Sequence, residues 1–306
     1  MKYLMMGAAA LALAACSQQQ SAEPTTDQPA APESTVETTV DAMASSLSID
    51  DILASKPDDF KARYQYRHPK ETLAFFGVEP GMTVVDILPN EPGWYGEILI
   101  PYLGADGKLI GADYSMEMWP LFGNFASAEF LEARKNWVAD YNEGSAALGV
   151  ENGAETAAFV LGSAPEELAG TVDVVMMVRA AHHFNRLEGG RFFTEALEDI
   201  DMVLKPGGIV GVVQHRAPEA NDDAWANGDN GYVKQSQIIS VFEAAGFEFV
   251  EASEINANPK DQPTNDDFVW RLPPTLATSK EDEALKAEMM AIGESDRMTL
   301  KFKKPE

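Results

Sequence analysis

Basic residues and long apolar stretches are both scarce in this chain. Its 306 residues include 23 Lys and Arg against 49 Asp and Glu, which gives a formal net charge of −26 and an isoelectric point near 4.4. Such a surface repels phosphate backbones, and no basic patch with interleaved aromatic residues is present, so nucleic acid is not an expected partner. Beyond residue 16 no apolar run approaches the length that spans a bilayer, and no internal repeat is found.

Cysteine is almost absent, and the position of the single residue, Cys16, is informative. Met1 and Lys2 are followed by an apolar run that ends in Leu-Ala-Ala-Cys. A short positive start, an apolar stretch too short for a membrane span and small residues at its end predict a secretory signal over residues 1–16. The cysteine at the cleavage point makes it resemble a bacterial lipoprotein signal, in which the thiol is acylated. With Cys16 lipidated, no thiol remains for disulfides, thiolate catalysis or metal ligation.

The composition divides the rest of the chain in two. Residues 17–46 are rich in Gln, Ala, Thr, Pro, Glu and Ser and hold no aromatic residue. They cannot bury enough apolar surface to offset the entropy of ordering, so we expect a disordered tether. Residues 47–306 have a globular composition that fits one large domain. The signal places this domain on the periplasmic side of the bacterial envelope, held to the membrane only by its lipid, and Ser17 in place of Asp favours the outer membrane.

Short β-branched and apolar runs alternate with helical stretches through the domain. The sequence predicts strands at residues 83–88, 108–113, 158–161, 172–178 and 209–213. It predicts helices at residues 93–103, 122–148, 190–204 and 234–245. This alternation indicates an α/β fold with a parallel sheet covered by helices on both faces. Two late runs, at residues 247–250 and 298–302, suit an antiparallel closing pair and bring the sheet to seven strands.

Ligands of an open parallel sheet bind beyond the carboxyl ends of its strands, so the residues after each strand are candidate site residues. The first strand leads into a loop with one glycine, Gly93, where a nucleotide site favours several. Asp113 ends the second strand and could accept from both hydroxyls of a ribose; alternatively, Asp113 or Ser115 could cap the next helix. Ser163 follows the third strand and could bond a purine edge, or cap the short helix that Pro165 begins.

Arginine and histidine side chains follow the fourth and fifth strands. Arg179, His182 and His183 come after the fourth strand, and His215 and Arg216 come after the fifth. Adjacent strand ends would gather them into a compact cationic pocket in a very acidic protein. The alternative is that the arginines pair with surface carboxylates and the histidines are structural. No metal is expected, because adjacent histidine side chains diverge and no carboxylate stands at helical ligand spacing from them.

Taken together, these segments resemble the class I S-adenosylmethionine-dependent methyltransferases, which have a Rossmann-like fold. The resemblance runs from about residue 66 to residue 303, and its most specific mark is the Leu-Lys-Pro-Gly-Gly turn at residues 204–208. More narrowly, the chain is similar to a group of exported bacterial proteins known as predicted methyltransferases, at residues 67–77, 93–95, 179–182, 215–217 and 296–298.

The resemblance implies a role for each candidate residue on the cofactor side. Asp86 would support the loop that holds the methionine part of S-adenosylmethionine, and the backbone at Gly93 would approach that cofactor. Asp113 would bind the ribose hydroxyls. Ser163 stands where these enzymes often carry an Asp for the adenine amine.

On the acceptor side, the resemblance implies that Arg179 and His182 face the group to be methylated. Catalysis of methyl transfer is mostly positioning, so a base is needed only where the acceptor must lose a proton. We expect His182, and then His215, in that role.

The loop after the first strand departs from the family pattern. Pro-Asn-Glu-Pro at residues 89–92 replaces the glycine-rich loop, and Glu91 adds a negative charge near the place of the cofactor's own carboxylate. The main expectation is S-adenosylmethionine-dependent methyl transfer to an unidentified small-molecule acceptor in the cell envelope. The alternative is a catalytically inactive binding lipoprotein of the same fold.

Overall fold

The computed structural model describes residues 47–306. The predicted signal at residues 1–16, the lipidation of Cys16 and the predicted tether at residues 17–46 lie outside the described residues and stay predictions. Over the described part of the chain, no helix combines the length and the apolar composition that crossing a bilayer requires.

The described strands form one continuous sheet. They are β1 (Thr83–Ile87), β2 (Lys108–Asp113), β3 (Glu155–Val160), β4 (Val172–Val178), β5 (Leu204–Ala217), β6 (Val233–Lys234), β7 (Glu248–Ser253) and β8 (Arg297–Lys303). Seven of them lie in the order β3-β2-β1-β4-β5-β8-β7, and the short β6 pairs with the end of β5. β1 to β5 are parallel, whereas β8 runs antiparallel between β5 and β7. The predicted mostly parallel sheet with an antiparallel closing pair is confirmed.

Helices cover both faces of this sheet. They are α1 (Ile49–Ser55), α2 (Asp58–Lys61), α3 (Tyr64–Arg67), α4 (Pro69–Phe76), α5 (Gly93–Leu103), α6 (Ala128–Arg134), α7 (Trp137–Ala147), α8 (Ala181–Arg186), α9 (Arg191–Val203), α10 (Gln235–Ala244) and α11 (Glu283–Ile292). Short 3₁₀ segments lie at Trp119–Phe125, Glu166–Leu168, Glu188–Gly190 and Val269–Arg271.

Element boundaries agree with the sequence where the local pattern is strong. α5 and β2 cover the predicted residues 93–103 and 108–113. The predicted helix at residues 122–148 is wrong as a single element, because Ser127 accepts a hydrogen bond from the N–H of Phe130 and so starts a separate helix, α6. β5 is longer than predicted, since its pairing with β8 continues as far as His215.

Apolar side chains fill both faces of the sheet and hold its strand ends in place. On one face, Phe193 and Phe302 pack around Phe242 of α10. On the other face, Phe76 of α4 and Ile98 of α5 belong to the cluster that covers β1. These two layers fix the carboxyl ends of β1, β4 and β5, where the candidate residues lie.

Candidate functional site

The carboxyl ends of β1, β4 and β5 and the start of β8 form one edge of the sheet. β4 lies between β1, which carries Asp86, and β5. Arg179 directly follows β4, and Arg297 of β8 pairs across from His215 of β5. The ring centroids of His182 and His215 are 5.8 Å apart. The ends of the fourth and fifth strands therefore do meet, and β8 adds a further arginine.

The loop after β1 contains several residues in the left-handed conformation, which glycine usually adopts, although Gly93 is its one glycine. Leu88 and Asn90 adopt left-handed conformations, with φ of 55° and 60°, and Gly93 follows with φ 74° at the start of α5. Side chains other than Gly, Asn and Asp rarely adopt this region, and Leu88 does so at a cost. The loop therefore contains left-handed residues despite its low glycine content. A cofactor role for Gly93 stays a prediction.

Asp86 ends up beneath this loop as a buried acid. Only 4% of its surface is exposed. Burial raises the pKa of its carboxyl to about 7, and the nearby Arg179 guanidinium limits that rise. Near neutral pH, Asp86 is therefore poised between its charged and neutral forms.

Asp113 is engaged within the protein itself. Nε and Nη2 of Arg134 donate to its two carboxylate oxygens, each at 2.6 Å, and the indole N–H of Trp119 donates to Oδ2 at 3.1 Å. The carboxylate is 1% exposed, and burial raises its pKa although Arg134 acts to lower it. Of the two residues named for the capping alternative, Ser115 takes that part, since its hydroxyl accepts from the N–H of Met118 at the turn that follows, whereas Asp113 does not cap it.

The Arg134 guanidinium is held in place by its other neighbours. It lies over the rings of Trp119 and Trp137, at 4.7 and 5.3 Å from their centroids. Its Nη1 is also 3.6 Å from a carboxylate oxygen of Glu91, the residue whose charge the sequence singled out. In this conformation the surroundings of Asp113 do not fit a bound nucleoside, since the guanidinium takes both acceptor oxygens.

Ser163 lies at the edge of an open cavity. Its hydroxyl donates to the carbonyl of Val160 at 2.8 Å, and the following 3₁₀ segment starts at Pro165 with no side-chain cap. The capping alternative is therefore wrong for Ser163. With Ser115 and Asp199 it lines a cavity of about 550 Å³ beside the ends of β2 and β3. A contact with a purine stays a prediction.

Four arginines gather over the ends of β4, β5 and β8, and we call them the arginine cluster: Arg63, Arg67, Arg179 and Arg297. Three of them, Arg63, Arg67 and Arg297, share one partner, Glu294, which is 1% exposed. Arg63 and Arg297 donate to its two oxygens, and Nε of Arg67 lies 3.8 Å from Oε2.

Arg179 differs from the other three arginines. It has a left-handed backbone conformation with φ 60°, which is uncommon for a residue of its size. Its side chain is not among those that pair with a carboxylate; it lines a small cavity with Arg67 and Arg297. Burial and the charge of Arg297 lower its pKa to about 10. Arg179 is thus a cation at the sheet edge without a partner of its own among residues 47–306.

The histidines of this edge are buried and neutral. Nδ1 of His182 lies 3.3 Å from Oε1 of Gln214, and its buried Nε2 has no hydrogen-bond partner. Burial lowers the pKa of His182 to about 3, and burial with nearby positive charge holds those of His183 and His215 well below their usual range. Such a low pKa makes His182 a weak base, so this geometry disfavours the predicted base role. Within residues 47–306, no group of three or more His, Cys, Asp or Glu is arranged to hold a metal.

Arg216 points away from this edge. It donates to both oxygens of Glu254, at 2.8 Å each, and to those of Asp296 at 2.8 and 3.1 Å. For Arg216 the structure therefore agrees with the alternative that the sequence left open, pairing with carboxylates. His215 remains at the edge, where Nδ1 is 2.5 Å from the hydroxyl of Ser295.

Sequence reasoning about strand ends missed four of the residues that shape this site: Arg67, Arg134, Glu294 and Arg297. Arg67 and Arg297 belonged to segments that resemble the exported methyltransferase group, and that resemblance was the available signal. Arg134 and Glu294 carry no such signal. Arg134 is 21 residues from Asp113, and Glu294, although three residues from Arg297, is 231 residues from Arg63.

No protein-family model matches the chain, and no curated protein matches it. Among solved structures it is similar to the 4+2 cyclase SpnF, with 16% identity, a TM-score of 0.51 and coverage of 78% of this chain and 80% of that chain. It is also similar to a SAM-dependent methyltransferase from Aquifex aeolicus, with 18% identity, a TM-score of 0.45 and coverage of 69% and 94%.

A third similar structure is geranyl diphosphate C-methyltransferase from Streptomyces coelicolor A3(2), in complex with Mg²⁺, geranyl diphosphate and S-adenosyl-L-homocysteine. Its identity is 12%, its TM-score 0.48, and the coverage is 81% of this chain and 83% of that chain. Together with the strand order of the sheet, the similarity to SpnF confirms the Rossmann-like α/β fold that the sequence predicts.

The pKa of Asp86 predicts an unusual dependence of stability on pH. Its pKa is about 7 in the folded chain against a model value of 3.8, so ionised Asp86 weakens the fold as pH rises through this window. Asp86→Asn should therefore raise the free energy of unfolding above pH 7, by up to about 4 kcal/mol, and change it little near pH 4. Urea unfolding at several pH values measures this, and a gain of equal size at both ends would contradict it.

Proposed function

We propose that this chain is an S-adenosylmethionine-dependent methyltransferase that acts on a small molecule in the bacterial cell envelope. The methyltransferase fold supports the proposal, and the geometry at Asp113 carries it. A buried carboxylate at the end of β2 presents both oxygens to two neighbouring donors, which are at present Nε and Nη2 of Arg134. Two vicinal ribose hydroxyls offer the same kind of paired donors.

Arg134 then acts as an internal competitor for this carboxylate. Cofactor binding requires the guanidinium to leave Asp113, and the neighbouring Glu91 carboxylate, 43% exposed, offers it a second anionic partner. The apparent affinity for the cofactor equals the intrinsic affinity multiplied by the fraction of molecules in which Asp113 is free of Arg134. The ion pair therefore weakens binding. This accounts for a negative charge at position 91 in a loop where the family pattern has none.

On the acceptor side, the proposal relies on positioning more than on proton transfer. The cofactor supplies the methyl group. Arg179, Arg297 and the ring of Tyr95 surround the cavity at the ends of β4 and β5 and would orient the acceptor. The low pKa of His182 favours acceptors whose nucleophilic atom needs no strong base.

Binding of S-adenosylhomocysteine to the soluble domain, residues 47–306, tests the cofactor site. Wild type should bind measurably by calorimetry, and Arg134→Gln should bind about 10 to 100 times more tightly because Asp113 no longer has a competing partner. Arg134→Lys, which keeps the charge but loses the two-pronged donor geometry, should lie between the two. Asp113→Asn removes a charged acceptor and should abolish binding.

One observation favours a second candidate, a binding lipoprotein of the same fold without catalytic activity. The Arg134–Asp113 ion pair is fully formed, which is how a lost cofactor site would look. Absence of binding at millimolar ligand in wild type and in folded Arg134→Gln alike would reject the methyltransferase proposal and favour this alternative. Thermal denaturation of each variant provides the control for folding.

We also propose that the chain is a lipoprotein of the periplasmic side of the envelope, anchored at Cys16, with residues 17–46 as its tether. The signal pattern of residues 1–16 supports this, and Ser17 favours the outer membrane.

Metabolic labelling with palmitate tests the anchor. The full chain should be labelled when expressed in a bacterium, and Cys16→Ser should abolish the label because no acceptor thiol remains. Ser17→Ala, which leaves the thiol in place, is the matched control and should be labelled normally. Label that persists in Cys16→Ser would disprove the anchor.

A further inference from the structure

The arginine cluster carries more positive charge than its surroundings balance. Within residues 47–306, Arg63, Arg67 and Arg297 share Glu294 as their one direct carboxylate partner. Arg179 pairs with none, and Glu294 and Asp86 act on it only from a greater distance. Even with both carboxyl groups ionised, an excess of two positive charges remains. Burial and mutual repulsion lower the pKa of Arg67 to about 9 and that of Arg179 to about 10. This local excess of positive charge contrasts with the net charge of −26 of the whole chain.

Several buried donors in the cluster have no acceptor. Nε of Arg67, Nε of Arg297 and Nη2 of Arg63 are buried without a hydrogen-bond partner, and the side chains of Arg67 and Arg297 are only 9% and 4% exposed. Leaving such charged donors unsatisfied is costly, and in native proteins a water, an ion or a ligand usually completes the site.

A small cavity lies among these donors. It has a volume of about 10 Å³, room for one water-sized group, and its polar walls are formed by Arg67, Tyr95, Arg179, Asn256 and Arg297. The Asn256 amide already donates to Thr72 and Thr299, so the arginines and the Tyr95 hydroxyl are the available donors. The neighbouring histidines are neutral and supply no further charge.

We propose that this cavity takes one oxygen of the carboxylate group of the methyl acceptor, which makes the substrate a small carboxylic acid. The assignment rests on the proposed function. A planar carboxylate matches the paired donors of a guanidinium and needs less room than a tetrahedral phosphate.

The strand order assigns the carboxylate to the acceptor and not to the cofactor. With the nucleoside held at β2 and the amino-acid part over the β1 loop, the cofactor lies on the β2–β1 side of the sheet. The cavity lies over β4, β5 and β8, with Val178, Val213 and Arg297 in its wall. β4 is next to β1, but neighbouring strands are about 4.8 Å apart, so β5 and β8 lie about 10 and 14 Å from β1, over whose loop the cofactor's own carboxylate is expected.

Titration of the cofactor-free soluble domain with formate tests the cavity without relying on methyltransferase activity. Formate is the smallest carboxylate, and it should raise the melting temperature saturably, more than chloride or phosphate at the same ionic strength. Arg179→Gln should weaken formate binding at least tenfold. The same variant should melt at a higher temperature than wild type without formate, because it removes an unpaired cation from beside Arg67 and Arg297.

Lys286→Gln is the matched control, since it removes one positive charge from the exposed face of α11. It should leave formate binding unchanged. A formate effect no larger than that of chloride, or an equal effect in Arg179→Gln and Lys286→Gln, would overturn the site.

A competition experiment distinguishes the acceptor from the cofactor. When S-adenosylhomocysteine is bound, formate should bind with the same affinity as in its absence. Competition between the two would assign the arginine cluster to the cofactor's own carboxylate and overturn the acceptor assignment. Formate binding without S-adenosylhomocysteine binding would uphold the cavity and reject the proposed function.

Discussion

Glu294 lies buried between guanidinium groups, and the arrangement of the candidate site depends on this contact. Through it, Arg63 and Arg67 of the N-terminal region are joined to Arg297 at the start of β8, more than 200 residues away along the chain. Burial alone would raise the pKa of this carboxyl, yet Arg297 and Arg63 hold it at about 2. The N-terminal helices are thereby held over the ends of β4 and β5, which turns an open sheet edge into an enclosed cationic site.

The charges at the two ends of that edge differ in whether a partner within the protein neutralises them. At β2 the Asp113 carboxylate is satisfied by Arg134, so the nucleoside side is closed by an ion pair internal to the chain. At β4 the Arg179 guanidinium has no such partner and faces a cavity. Ligand binding would therefore replace the Arg134–Asp113 ion pair at β2 and give Arg179 a partner at β4. The first determines whether a cofactor can enter, and the second determines which acceptors are attracted.

The sequence predicts what depends on local pattern and misses what depends on distant pairing. The strand ends that carry Asp86, Asp113 and Arg179 were predictable, because apolar runs and Pro-Gly turns mark the strands. The contact of Arg134 with Asp113 was not predictable, since the two residues are 21 positions apart and the sequence predicts a single helix over residues 122–148. The lowering of the pKa of His182 to about 3 was not predictable either, because its burial is a property of the packed fold.

The free energy of unfolding of Glu294→Gln as a function of pH tests the central contact most directly. The variant leaves buried arginines without their partner, so the account predicts a loss of about 3 to 5 kcal/mol at pH 7. That difference from wild type should close as pH falls from 4.5 towards about 2, where wild-type Glu294 itself becomes protonated. Glu251→Gln, which alters a half-exposed carboxylate paired with Lys301, should change stability little at any pH. A loss in Glu294→Gln that is small at pH 7, or that stays constant down to pH 2, would contradict the account.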